Sequence, residues 1–191
     1  MTETPIKAVA IGASAGAVQA LLAILPALPA RFSLPILVVV HVPPDRDNAL
    51  APLLQSKCRI AVKEAEDKEP IEGGAIYLAP SDYHLLVETQ RTLALSTDEL
   101  VNYSRPSIDA LFESAADAYG PELVGVILTG ANHDGAAGLK AVKDAGGVAI
   151  VEDPTGAYAT AMPLAALEAC PSAITMNIDA IASYLSSLGP A

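Results

Sequence analysis

Residues 7–25, KAVAIGASAGAVQALLAIL, pass from a continuous apolar run at Ala8–Ile11 into Gly12-Ala13-Ser14-Ala15-Gly16. A helix-period apolar pattern follows at Val18, Leu21, Leu22 and Leu25. An apolar run without polar alternation reads as a strand buried on both faces. A buried strand that turns directly into an amphipathic helix is the opening of an α/β fold, and the rest of the chain repeats the pattern.

The spacing predicts a strand at Lys7–Ile11, a helix at Gly16–Leu28 ended by Pro29, and a central buried strand at Pro35–His41. A helix at Asn48–Ser56 and a short strand at Arg59–Lys63 come next. The segments EGGAIYLAP, YHLLVE and TLALS, separated by turn residues, read as a small antiparallel group. RPSIDALFESAADAYG reads as a Pro-initiated helix and LVGVILTG as another buried strand. DGAAGLKAVKDAGG is a helix closed by Gly146-Gly147, followed by strand VAIVED, helix MPLAALEAC, strand SAITM and a last helix, NIDAIASYLSSL, capped by Asn177. Alternation at both ends predicts an α/β fold: a doubly wound, mostly parallel sheet with helices on both faces and an antiparallel hairpin extension. With 191 residues and no linker or internal repeat, residues 1–191 are expected to form one domain.

Composition narrows the function classes. A net charge of −11 disfavours a general nucleic-acid binder. No run of 18 apolar residues suggests membrane insertion, and Met1–Lys7 lacks the pattern of a signal peptide. Cys58 and Cys170 lie far apart, in no metal-ligand spacing, and read as structural thiols of a cytoplasmic protein. No metal site is expected.

In open parallel sheets, ligands bind beyond the carboxyl ends of the strands. Ser14 follows the first strand, His41 ends the second, and LTGANHDG after a later strand carries Asn132, His133 and Asp134. A hydroxyl, an imidazole and a carboxylate are the inventory of a hydrolytic triad. Gly12-Ala13-Ser14-Ala15-Gly16 also fits G-x-S-x-G in the strand-to-helix context that the motif requires. Competing readings remain at this level. Ser14 and Asp134 could each cap the helix that follows, and His41 could be a satisfied core histidine. A dinucleotide turn fits less well, because Ser14 stands at the second glycine of G-x-G-x-x-G. His133, next to Asp134, is a rival base, and His84, alternating with apolar residues, reads as structural. The chain order Ser, His, Asp departs from the Ser, Asp/Glu, His order of α/β-hydrolases.

AVAIGASAGA, VVVHVPP, IYLAPSDYHLLV, NYSRPSIDALFESAADAYG, GVILTGANHDGAAGLKAVKDAGGVAIVEDP and AMPLAAL occur in this order. Together they resemble the catalytic domain of the chemotaxis protein-glutamate methylesterases over about residues 6–188. The resemblance implies a serine esterase that removes methyl groups from chemoreceptor glutamates, releasing methanol, with deamidation of receptor glutamines in some members. It implies Ser14 as nucleophile, His41 as base and Asp134 as the orienting acid, with no cofactor. Backbone N–H groups near Ala15 and Ala131 are candidate oxyanion donors, and Arg105 of the RPS motif is a candidate substrate contact. Ala17, Ala131 and Glu152 stand where the family commonly has glycine, methionine and glutamine. Most members carry a receiver domain, for which this chain has no room, so the chain is expected either to act alone or to be a piece of a longer protein. If it acts alone, control would have to come from abundance, localisation or a separate regulatory protein. Methyl-accepting chemoreceptor cytoplasmic helices are the expected partners. The alternatives are a non-catalytic receptor-binding or signalling module and a hydrolase of an unrelated small ester.

Overall fold

The computed structural model describes residues 4–41 and 49–189. Its strands are β1 (Ala8–Ala13), β2 (Ile36–Val40), β3 (Ala61–Glu64), β4 (Ala75–Leu78), β5 (His84–Val87), β6 (Leu93–Ser96), β7 (Leu123–Ile127), β8 (Val148–Glu152) and β9 (Ile174–Met176). Its α-helices are α1 (Ala17–Ile24), α2 (Leu50–Gln55), α3 (Ile108–Tyr119), α4 (Ala136–Asp144), α5 (Ala161–Ala169) and α6 (Ile178–Ser187). Among the described residues, seven strands form one sheet in the order β3-β4-β2-β1-β7-β8-β9. All its pairings are parallel. β5 and β6 pair antiparallel in a separate two-stranded sheet.

The central strands are apolar on both faces, and alternate residues feed two cores. Val9, Ile11 and Ala13 of β1 join Ile36, Val38 and Val40 of β2 against α1, α2 and α6. Ala8 and Ala10 join Leu37 and Val39 on the opposite face, against α3, α4, α5 and the β5–β6 hairpin. Burial on both faces is what made these segments unbroken apolar runs.

The structure corrects three details. Ala75–Leu78 is not part of an antiparallel group: it pairs parallel with both β2 and β3 inside the main sheet. The first helix leaves α geometry at Leu25 and finishes as a 3₁₀ turn, Leu25–Ala27. Pro26, which has no N–H to continue the ladder, stops it before Pro29. The second helix begins at Leu50, and Asn48 lies outside the described residues. The cap at Asn177 is present, its side chain accepting the Ala180 N–H at 2.8 Å. No helix among the described residues is long and apolar enough to cross a membrane.

Strand order reverses direction at β1. The chain moves from β1 to β2 on one side and later returns to β7 on the other. The crevice at such a reversal lies beyond the carboxyl ends of these neighbouring strands. The segments that follow β1, β2 and β7 carry Ser14, His41 and Asp134.

Candidate active site

Ser14 stands one residue past β1. Its N–H donates to the Thr129 carbonyl at 2.9 Å and its own carbonyl accepts the Ala17 N–H at 2.9 Å. The helix cap is Gly16, at φ 85°, with no side-chain capping bond. Ser14 is therefore not an N-cap, and its Oγ has no hydrogen-bond partner among the described residues. The turn is braced from outside. Thr129 Oγ1 donates to the Ala15 carbonyl at 2.8 Å and accepts the Ala159 N–H at 2.8 Å. Glycine is required at both ends of the turn. A Cβ on Gly12 would come within 2.3 Å of the Ile108 side chain, and one on Gly16 within 2.7 Å of Tyr158. Gly16 also needs its positive φ.

His41 follows β2 directly. Ala13 and Val40 are register partners, and the His41 N–H donates to the Ala13 carbonyl at 3.2 Å. Ser14 and His41 thus step off adjacent parallel strands at the same level. The ring is not simply a satisfied core histidine: its Nε2 meets Asp134 Oδ2 at 2.7 Å across 93 residues of sequence, and its Nδ1 meets Asn132 Nδ2 at 3.3 Å.

Asp134 does not cap α4, whose cap is Gly135 with no side-chain bond. The carboxylate is fully buried and points instead at the N-terminus of α3. Oδ2 accepts from His41 and from the Ile108 N–H at 2.6 Å. Oδ1 accepts from Asn102 Nδ2 at 2.7 Å, Ser107 Oγ at 2.9 Å and the Asp109 N–H at 3.2 Å. Burial pushes its pKa up, but the bonds from His41, Ile108, Asn102 and Asp109 outweigh burial and hold it below the usual carboxylate value. The helix N-terminus acts in the same direction, because its exposed N–H groups carry partial positive charge. An ionised acid is what an orienting partner for an imidazole requires.

Asn102, Ser107, Asp109 and Asn132 were not identified as site residues from the sequence. Asn102, at φ 52°, shares its amide between Asp134 and Asp109 Oδ2, both at 2.7 Å. Asp109 Oδ1 in turn accepts the Gly138 N–H at 2.6 Å. Burial pushes the Asp109 carboxyl up despite these bonds, and the Asp134 charge adds to the rise. The only signal for Asn102 and Ser107 was their place in NYSRPSIDAL, and no spacing argument pointed from there to Asp134.

The remaining candidates fall into separate places. His84 is buried, donates from Nε2 to the Glu99 carbonyl at 2.9 Å and accepts the Ser107 N–H on Nδ1 at 3.2 Å, as a structural histidine would. His133 is exposed, and the Asp134 carboxylate beside it in sequence faces His41 instead. The N–H groups of Ala15 and Ala131 have no acceptor among the described residues. Arg105 lines a cleft of about 190 Å³ together with His41, Asp82, Leu100, Tyr103 and Ser104. Its guanidinium is engaged by Asp82 Oδ1 at 2.8 and 3.0 Å and by the carbonyls of Thr97 and Asp98 at 2.9 and 3.0 Å. Arg105 thereby ties together the loops that form the cleft wall. Tyr103, 93% exposed, stands at its rim.

Sequence and fold comparisons place the chain among known proteins. The CheB methylesterase family model matches residues 9–185. A Leptospira interrogans protein, whose name provisionally assigns it protein-glutamate methylesterase and protein-glutamine glutaminase activity, is 47% identical over 92% of this chain and 91% of its own length. The Archaeoglobus fulgidus protein-glutamate methylesterase/protein-glutamine glutaminase is 40% identical over 84% of this chain, which spans 47% of that protein. The crystal structure of the Thermotoga maritima CheB methylesterase catalytic domain superposes with a TM-score of 0.91 at 36% identity, covering 97% of this chain and all of that one. The chain belongs to the CheB methylesterase family.

Proposed function

We propose that this chain is a serine esterase that hydrolyses glutamate γ-methyl esters on the cytoplasmic helices of chemoreceptors, and that it deamidates glutamines at the same positions. The observation that carries this reading is the 2.7 Å bond between His41 Nε2 and Asp134 Oδ2, made one strand away from Ser14. An ionised Asp134 holds the Nε2–H tautomer, which leaves the Nδ1 lone pair as the base. Ser14 Oγ attacks the ester carbonyl and passes its proton to Nδ1. The N–H groups of Ala15 and Ala131 receive the oxyanion. The imidazolium then protonates the departing methoxide, and methanol leaves. Water, deprotonated by the same nitrogen, cleaves the acyl-enzyme and restores Ser14. With a glutamine side chain the leaving group is ammonia and the remaining steps are the same.

The whole of residues 1–191 acts as one catalytic domain in the cytoplasm, where the receptor helices lie. A purely binding role is disfavoured because such a role needs neither a half-buried hydroxyl without a partner among the described residues nor a buried ionised acid behind an imidazole. The test is methanol release from methylated receptor membranes by residues 1–191 and by Ser14→Ala. Release that depends on Ser14 supports the reading. A folded wild-type chain that binds receptor and releases no methanol above the Ser14→Ala background overturns it in favour of the binding module.

A further inference from the structure

Asn132 holds the nitrogen that the proposed reaction needs. Its Oδ1 accepts the Asp134 backbone N–H at 3.0 Å, which fixes the orientation of the amide and aims Nδ2 at His41 Nδ1, 3.3 Å away. His41 Nε2 closes the ring on the Asp134 carboxylate at 2.7 Å. Every direction in this cycle is determined. The peptide N–H of Asp134 can only donate and its carboxylate only accepts, so Nε2 carries the proton and Nδ1 is a bare lone pair accepting from Asn132.

A neutral imidazole has one in-plane lone pair on that nitrogen, enough for one well-formed hydrogen bond. Asp134 by itself already selects the tautomer, since a lone pair on Nε2 would face its carboxylate. The bond from Asn132 therefore adds nothing to tautomer choice. Its effect is to occupy the acceptor. Ser14 Oγ, correspondingly, has no partner among the described residues.

We infer that Asn132 is a positioning residue that holds His41 in a resting arrangement, its amide competing with the Ser14 hydroxyl for Nδ1, and that the amide must turn away before Ser14 can be activated. The inference rests on the triad reading above. Asn132 lies on the loop after β7 and is half-buried, so its side chain has room to be displaced when a substrate enters.

The test measures sulfonylation of Ser14 by phenylmethanesulfonyl fluoride, a small uncharged reagent that gains nothing from receptor contacts. In that reaction an O–S bond forms, the S–F bond breaks, fluoride leaves and the Ser14 proton passes to Nδ1. Asn132→Ala removes the amide. Asn132→Ser keeps an oxygen close enough to accept the Asp134 N–H but is too short to reach His41. Both variants are expected to react faster than wild type by about two- to tenfold, the range that one neutral hydrogen bond is worth. Nitrogen-15 NMR of His41 is expected to keep the Nε2–H signal and to shift the Nδ1 signal in both. Unchanged or slower sulfonylation in a folded Asn132→Ser chain, or an unmoved Nδ1 signal, overturns the inference and leaves the triad standing. Labelling that persists in Ser14→Ala overturns the triad reading, and the inference with it.

Discussion

Asp134 Oδ2 accepts the Ile108 backbone N–H at 2.6 Å, through the same oxygen that meets His41 at 2.7 Å. The acid of the proposed triad is therefore held by the N-terminus of α3, a helix from a distant part of the chain. Asp134→Asn keeps the size of the side chain but turns one acceptor into a donor. Facing a ring of N–H and O–H groups, it either loses those bonds or presents an acceptor where His41 needs an anion. Esterase turnover is expected to fall by about 10⁴, with little change in receptor binding. A pull-down with receptor membranes beside a methanol assay separates the two effects.

The same carboxylate has a consequence for acid stability. Its folded pKa lies below the ordinary value of about 3.9, despite the opposing effect of burial. A depressed group contributes stability that is present above the unfolded value and is lost as pH falls through the folded one. Thermal melts of wild type and Asp134→Asn are expected to differ most at neutral pH and to converge below about pH 4. A difference that stays constant down to pH 2 would show that the stabilisation is not electrostatic.

Ser14 and His41 are expected to act as one unit. Ser14→Ala and His41→Ala should each lower turnover by at least about 10³, and the double variant should be little worse than either. The measurement is methanol release at saturating receptor, with circular dichroism to verify folding. Multiplicative losses would mean that the two side chains work independently.

Glu152 stands where the resemblance implies a glutamine. It is 3% exposed, accepts the Thr129 N–H at 2.7 Å, and burial pushes its carboxyl above the usual range. A raised carboxyl contributes stability below its unfolded pKa, and that contribution is lost as pH rises through the folded value. Glu152→Gln keeps an acceptor for Thr129 without the buried charge. Its melting temperature should rise by roughly 2–4 °C at pH 8, the shift that about 1 kcal/mol produces in a domain of this length, and match wild type near pH 4. An equal gain at both pH values would assign the effect to packing.

Gly12→Ala places a methyl group 2.3 Å from Ile108, the residue whose N–H holds Asp134. Overpacking of this kind costs about 1–3 kcal/mol. Here α3 must also shift relative to the β1 turn, so activity should fall further than stability alone accounts for. Measuring turnover well below the melting temperature distinguishes the two.

Much of this architecture was legible in the chain because the physics involved is local. Unbroken apolar runs marked strands buried on both faces, and helical repeats with glycine or proline at their ends marked the crossovers. Once the sheet was read as parallel, its carboxyl edge had to collect Ser14, His41 and Asp134. What remained open depended on pairing between distant segments. Ala75–Leu78 is a short apolar run, and such a run looks the same whether it joins a parallel sheet or a hairpin. Only its registers with β2 and β3 settle the matter. The same holds at the site. Nothing local indicates that Asn102 reaches Asp134 across 32 residues, or that Asn132 rather than Ser14 sits on His41 Nδ1. A hydrogen bond has a direction as well as a range, and these directions are decided only when α3, His41 and the loop after β7 converge on one buried carboxylate.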